Sequence, residues 1–194
     1  MLLLRKPTEQ DIARFIREQA ELDFSYAEEG ATQHAVPAGY DSDHVRVVLG
    51  RGEAAFDAAI AAFREWRQFR TSWTSIHSSD TPVEAGRTVA VLARALGVWS
   101  LNACRIIYVV DEQGAVERFG FGYGTLPGHS ESGEERFLIE WNRECDEVFY
   151  DVVAFFRPRH PLVRLSWLYA TRRVNRFRRD SAEAMRAAVR QAID

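Results

Sequence analysis

Polar side chains set inside apolar, strand-like runs are where this sequence could do chemistry. Asn102, Cys104 and Arg105 interrupt the run 99–110, and Asp151 sits within Val148–Val153. Arg136 and Glu140 share one strand face at i and i+4. A charge buried alone costs on the order of several kcal/mol, so Arg105 and Asp151 must be paired, hydrated or on an outer sheet face. The outer face is the plainer reading for each residue alone. Together they point to a polar end on an otherwise apolar cavity, with Tyr108, Phe121, Tyr123, Trp141 and Tyr150 as aromatic lining with hydroxyl handles. His129 lies in the loop Leu126–Gly133, with Glu131, Glu134 and Glu135 nearby. That grouping suits acid–base chemistry or a metal site, or more plainly a histidine capping a turn in a solvated acidic loop.

Other signals argue against common chemistries. No nucleophile motif appears, and the five histidines form no H-x-x-x-H or H-E-x-x-H spacing. No cofactor or metal is therefore expected. Gly50-Arg51-Gly52-Glu53-Ala54-Ala55 imitates a dinucleotide fingerprint between a strand and a helix. Glu53 puts a carboxylate where a pyrophosphate would sit, and hairpin-linked strands follow instead of βαβ units, so glycine serves a tight turn here. Between Asp151 and Asp180 stand eight arginines (157, 159, 164, 172, 173, 176, 178 and 179) and no acid. Interleaved with aromatics, they suit an anionic membrane surface met by Arg172, Arg173, Arg176 and Arg179, or a solvated helix paired to the acidic loops 28–29 and 131–135. A formal charge of −3 argues against nucleic acid as the partner.

The elements that must hold these residues follow from periodicity. Thr8 before Asp11 reads as a helix cap, and Ile12, Phe15, Ile16 and Ala20 recur at helical spacing over 8–22. Residues 26–43 are loop or linker, and 44–49 a strand. A helix with Phe56, Ile60, Phe63 and Trp66 runs to about 70. Six strands follow, at 73–76, 87–95, 99–111, 116–125, 134–141 and 147–157. Their connections are so short that the neighbours must be antiparallel. Gly120, Gly122 and Gly124 strip one face of a strand, either because the sheet bends there or because another element, or a ligand, approaches the backbone closely. A final helix, about 161–192, carries the stripe Val174, Phe177, Ser181, Ala184, Ala188 and Ala192. The sheet must cover its apolar face, and this helix is available to do so. Bending a sheet around a helix leaves the space from which a cavity arises.

The expected fold class is therefore α+β of helix-grip build: a curved antiparallel sheet of about seven strands wrapped on a long C-terminal helix. Residues 1–43 form an N-terminal helix and extended segment packed on a main domain of 44–194. The apolar opening Met1–Leu4 is too short for a membrane span and lacks preceding basic residues, so no signal peptide is read. Cys104 and Cys145 make no CxxC pair and read as reduced, buried thiols of a cytoplasmic protein.

Several stretches resemble one family found in bacteria and plants, the domain of unknown function numbered nineteen-ninety. They are Tyr26–Thr32 (YAEEGAT), Pro37–Tyr40, Asn102 with Cys104-Arg105, Tyr123–His129 (YGTLPGH), Gly133–Phe137, Arg157-Pro158 with His160-Pro161, and Arg176–Ser181 (RFRRDS). The resemblance spans nearly the whole chain. It implies kinship with the START-like, birch-pollen-allergen superfamily of helix-grip proteins, and no activity. Three functions stay open. The first is binding of a small hydrophobic or amphipathic molecule, with any anionic part near Arg105 or Arg136. The second is a cyclase, hydrolase or isomerase using Asp151, His129 or Glu134 as acid or base. The third is a protein-interaction module with a filled core.

Overall fold

The computed structural model describes residues 1–77, 81–95, 97–159 and 167–194, and for 167–173 the backbone alone. Its elements are β1 (Leu2–Leu3), α1 (Glu9–Ala20), β2 (Asp41–Arg51), α2 (Gly52–Arg64), β3 (Thr74–His77), β4 (Thr88–Ala95), β5 (Val98–Glu112), β6 (Val116–Thr125), β7 (Glu131–Asn142), β8 (Glu147–Pro158) and α3 (Trp167–Ile193). The strands form one antiparallel sheet in the order β2-β8-β7-β6-β5-β4-β3. Strand β5 is long enough to pair with β4 through its first half and with β6 through its second. The short β1 occupies β5 beside Trp99 and Ser100. A curled sheet of this order, gripping a C-terminal helix, is the helix-grip architecture.

Local chemistry sets the boundaries. Thr8 and Asp11 form a reciprocal capping box: the Thr8 hydroxyl accepts the Asp11 N–H at 3.1 Å, and the Asp11 carboxylate accepts the Thr8 N–H at 3.1 Å. Gly52, at φ 79°, makes the tight turn from β2 into α2. Helix α2 ends at Arg64, before Trp66 in the left-handed region at φ 57°. The cost of that conformation is offset by complete burial of the indole, whose N–H donates to the Thr81 carbonyl at 3.1 Å.

Two apolar layers flank the sheet. On the concave face, α2 and α3 cover Phe119, Phe121, Phe137, Ile139, Trp141, Tyr150 and their neighbours. On the convex face, Ile12 and Phe15 of α1 pack on Ala90, Leu92, Leu101 and Ala103 of β4 and β5. The inner stripe of α3 differs in part from the expected one. Its buried positions are Arg178, Ser181, Ala182, Met185 and Val189, while Ala184 and Ala188 are half-buried and Ala192 is exposed. The larger Met185 and Val189 fill the concave face where alanines would leave gaps. Residues 161–166, expected as the first turns of this helix, lie outside the described residues. Both thiols are free; Cys104 is buried as expected, but Cys145 sits exposed in the β7–β8 turn.

Candidate functional site

One end of the concave face is packed solid and the other is hollow. Where α2 and α3 both lie on the sheet, aromatic rings interlock: Phe56 on Trp141 at 5.7 Å, Phe63 on Phe121 at 5.4 Å, Trp66 on Phe121 at 5.1 Å. Phe69, just past the end of α2, touches Tyr123 and stacks on Phe177 at 5.4 Å. Beyond Phe69 a cavity of about 680 Å³ opens, walled by Val91 and Ala93 of β4, Ala154 and Phe156 of β8, and Val174 and Phe177 of α3. The hollow thus lies where α2 has ended, and among the described residues no second helix fills the curve of the sheet there.

Polar groups converge on this hollow. Glu135 faces it from β7, in register with Tyr123 on β6 and Ala154 on β8. The Tyr123 hydroxyl donates to the Glu135 carboxylate at 2.8 Å. Burial pushes the Glu135 carboxyl up to about 7; the Tyr123 hydrogen bond opposes the shift and the charge of Glu131 adds to it. Asn102 also lines the cavity. Its carbonyl oxygen accepts from the Ser130 N–H at 3.3 Å and hydroxyl at 3.1 Å, tying the loop before β7 to β5. His129 lies in that loop, its Nδ1 3.0 Å from the Glu131 amide nitrogen and 3.1 Å from the Glu131 carbonyl oxygen, a turn-capping geometry. From α3, Arg178 reaches the wall only 5% exposed and lies against the Asp43 carboxylate of β2. Burial lowers its guanidinium to about 10, still charged at neutral pH.

Ten residues were singled out from the sequence, and the structure divides them. Asn102, Tyr123 and His129 line the cavity. Phe121, Trp141 and Tyr150 are on the same concave face but inside its packed end, Tyr150 bonded to Ser181 of α3 at 2.7 Å. Arg105, Tyr108, Arg136 and Asp151 are on the convex face, so the expectation that Arg105 and Asp151 form the polar end of the cavity is corrected. Arg105 caps α1 from β5, donating to the carbonyls of Ala20 at 2.6 Å and Leu22 at 2.8 Å. Asp151 accepts from His44 at 2.8 Å, Arg46 at 3.2 Å and Arg136 at 3.2 Å. Burial works to raise the Asp151 carboxyl, but those hydrogen bonds outweigh it and hold it below the usual range. The Tyr108 hydroxyl meets that of Thr32 at 2.6 Å, and burial lifts it to about 12.

The glycines of β6 also face away from the cavity, which corrects the idea that they bare a ligand surface. A Cβ at Gly122 would collide with the Tyr108 ring, and one at Gly124 with Tyr26 and Phe24. The absent side chain at Gly124 lets the N-terminal segment approach the sheet, and the one at Gly122 makes room for the Tyr108 ring of β5.

Glu134, an expected acid or base, is the anchor of that segment. Its carboxylate accepts from the Tyr26 hydroxyl at 2.8 Å, the Gly30 N–H at 2.7 Å, the Thr32 N–H at 2.9 Å and the Thr32 hydroxyl. With four donors it has little capacity left for a proton or a ligand. Glu135, its neighbour, is read from the sequence only as one of the acids near His129 and not as a cavity residue. The signal was present: Glu135 is in phase with the apolar Phe137, Ile139 and Trp141, whereas Glu134 and Arg136 alternate with them.

Arg176 and Arg179 of the basic segment pair within α3. Arg176 lies over the Trp73 ring and meets Asp180 at 3.3 Å, and Arg179 meets Asp180 at 3.1 Å. The side chains of Arg172 and Arg173 lie outside the described residues, as does Arg164. No helix among the described residues is long and apolar enough to cross a membrane.

The family model described as "Domain of unknown function (DUF1990)" matches residues 25–184. The chain belongs to that family. A relative named UPF0548 protein from Dictyostelium discoideum is 34% identical over 97% of this chain and 96% of its own. Another of that name, from Deinococcus radiodurans, is 39% identical over 86% of this chain and 87% of its own. The crystal structure of Ara h 8.0201 is similar in fold, with a TM-score of 0.51 and 15% identity over 79% of this chain and 99% of that one. At that identity the likeness concerns the fold alone.

Proposed function

We propose that this member of the family binds a small hydrophobic or amphipathic molecule in the cavity between the sheet and α3. The observation that carries this reading is the hollow of about 680 Å³. It falls within the roughly 300–1,000 Å³ of small-molecule pockets and joins apolar walls to a few convergent polar groups. Native mass spectrometry of protein purified from its own cells should reveal a retained small molecule. Ala93→Trp, which places an indole in the cavity, should lose it while folding normally. Retention by the filled variant would move the binding site elsewhere, and no retained molecule and no uptake of apolar probes would favour the interaction-module reading.

A second reading has its own observation. A carboxyl near 7 beside a phenol, inside a cavity, is poised for acid–base catalysis, because proton transfer is most effective when the group's pKa lies near the working pH. The two readings part on Glu135→Gln. An enzyme so altered should retain a species of different mass, its unreacted substrate. A carrier should retain the same molecule or none.

A further inference from the structure

The cavity's charges are unequally answered, and the inequality bears on what it holds. Arg178 reaches the wall with the Asp43 carboxylate against its Nη1, a counter-charge for the cation, although its buried Nε makes no hydrogen bond among the described residues. Glu135 has no counter-charge: among the described residues, no lysine, arginine or histidine lies within ion-pair distance of its carboxylate. Its one hydrogen bond comes from the neutral Tyr123 hydroxyl. An ionised carboxylate offers about four acceptor positions, so most of this one's capacity points into the hollow unused. An unpaired charge in an apolar enclosure is costly, and that cost is what raises the Glu135 carboxyl. An entering anion would meet Glu135 with Glu131 beside it. An entering cation would replace lost hydration and pair with the charge.

Resting on the cavity-binding reading and going beyond it, we propose that the ligand carries a basic nitrogen, an alkyl- or arylamine, whose ammonium pairs with Glu135 while its apolar body lies against Phe69, Ala93 and Phe177. This reverses the sequence-based expectation of an anionic group near Arg105 or Arg136, because those two cations face the opposite side of the sheet. The Tyr123 hydroxyl holds the Glu135 carboxylate in place and is a positioning residue for it. A charge-assisted hydrogen bond in a water-poor site is worth about tenfold or more in affinity over a neutral one.

The test compares three probes of equal chain length, decylamine, decanol and decanoate, titrated calorimetrically into the intact protein at neutral pH. Decylamine should bind about tenfold tighter than decanol, and decanoate weaker than both. In Glu135→Gln, which keeps the shape and still accepts the Tyr123 hydrogen bond, decylamine should fall to within about threefold of decanol. Decanol binding should be retained, which also shows that the variant is folded. Decanoate or decanol binding as tightly as the amine in the parent protein overturns the inference while leaving the cavity-binding reading intact. Failure of all three probes to bind overturns that reading, and the inference with it.

Discussion

Glu134 and Glu135 are adjacent on β7 and face opposite sides of the sheet, and they live in opposite electrostatic worlds. The convex carboxylate receives four donors from Tyr26, Gly30 and Thr32. The concave one receives a single phenol and sits beside a void. The contrast extends along both faces. On the convex side, Arg46 bridges Glu140 and Asp151, Arg118 bridges Glu140 and Glu112, and Arg136 reaches both Asp151 and the Thr32 carbonyl. On the concave side, Arg178 lies against Asp43 at the cavity wall. A polar group with every bond satisfied holds the fold together; one left under-bonded beside a space is free to act on something that enters it.

The most disruptive way to break this comparison is to empty the satisfied side. Glu134→Ala leaves the Tyr26 hydroxyl and the Gly30 and Thr32 amides without their acceptor. It should destabilise the protein by about 3–5 kcal/mol in urea denaturation and open residues 26–33 to proteolysis. A loss below about 0.5 kcal/mol would mean that water serves those donors equally well and that the segment is not clasped by this carboxylate.

Glu135→Gln should do the reverse. The folded-state carboxyl at about 7 lies above its ordinary value of 4.5, so the folded protein holds more protons than the unfolded one between those values. The stability linked to Glu135 is complete below 4.5 and is lost as pH rises through 7. The variant should therefore gain on the parent protein as pH rises from 4.5 to 8, by about 1–3 kcal/mol in total. A stability difference that does not change with pH over that range would remove Glu135 from the set of strained groups.

Gly122→Ala probes the close approach on the convex face. The added methyl must displace the Tyr108 ring, which should cost about 1–3 kcal/mol. In a double-mutant cycle with Tyr108→Ala, most of that cost should disappear; additive losses would show that strand geometry and not the ring requires the glycine. The smallest effect belongs to His44→Ala. His44 is half exposed and Asp151 keeps Arg46 and Arg136, so the change should stay within about 1 kcal/mol.

Much of the fold was legible in the sequence because its causes are local. The six strands after α2 appear within a few residues of their expected bounds, since alternation and glycine-bearing turns act over two to four residues. The Thr8 cap was readable for the same reason. The inward or outward direction of individual side chains was not. In β5 the register shifts between Ile106 and Tyr108, so parity inverts mid-strand: Cys104 and Ile106 point into the core, and Tyr108 points out. In β8, both faces are apolar, because Phe155 on the convex side packs under Tyr26 and Tyr40. Alternation there carries no sign, and Asp151 could be placed on either side.

The sequence by itself determined where strands, turns and helices lie, because neighbouring residues decide them. It also held the phase that puts Glu135 on the apolar side of β7, where Phe137, Ile139 and Trp141 mark the inward face. Tertiary structure alone decided that Arg105 caps a helix more than eighty residues earlier in the chain, and that Glu134 is used up by a distant loop. It also decided that α2 stops short of the far end of the sheet and leaves a hollow there. Those outcomes depend on contacts between segments far apart in the chain, and a cavity is a region that no side chain reaches, so no pattern of adjacent residues encodes it.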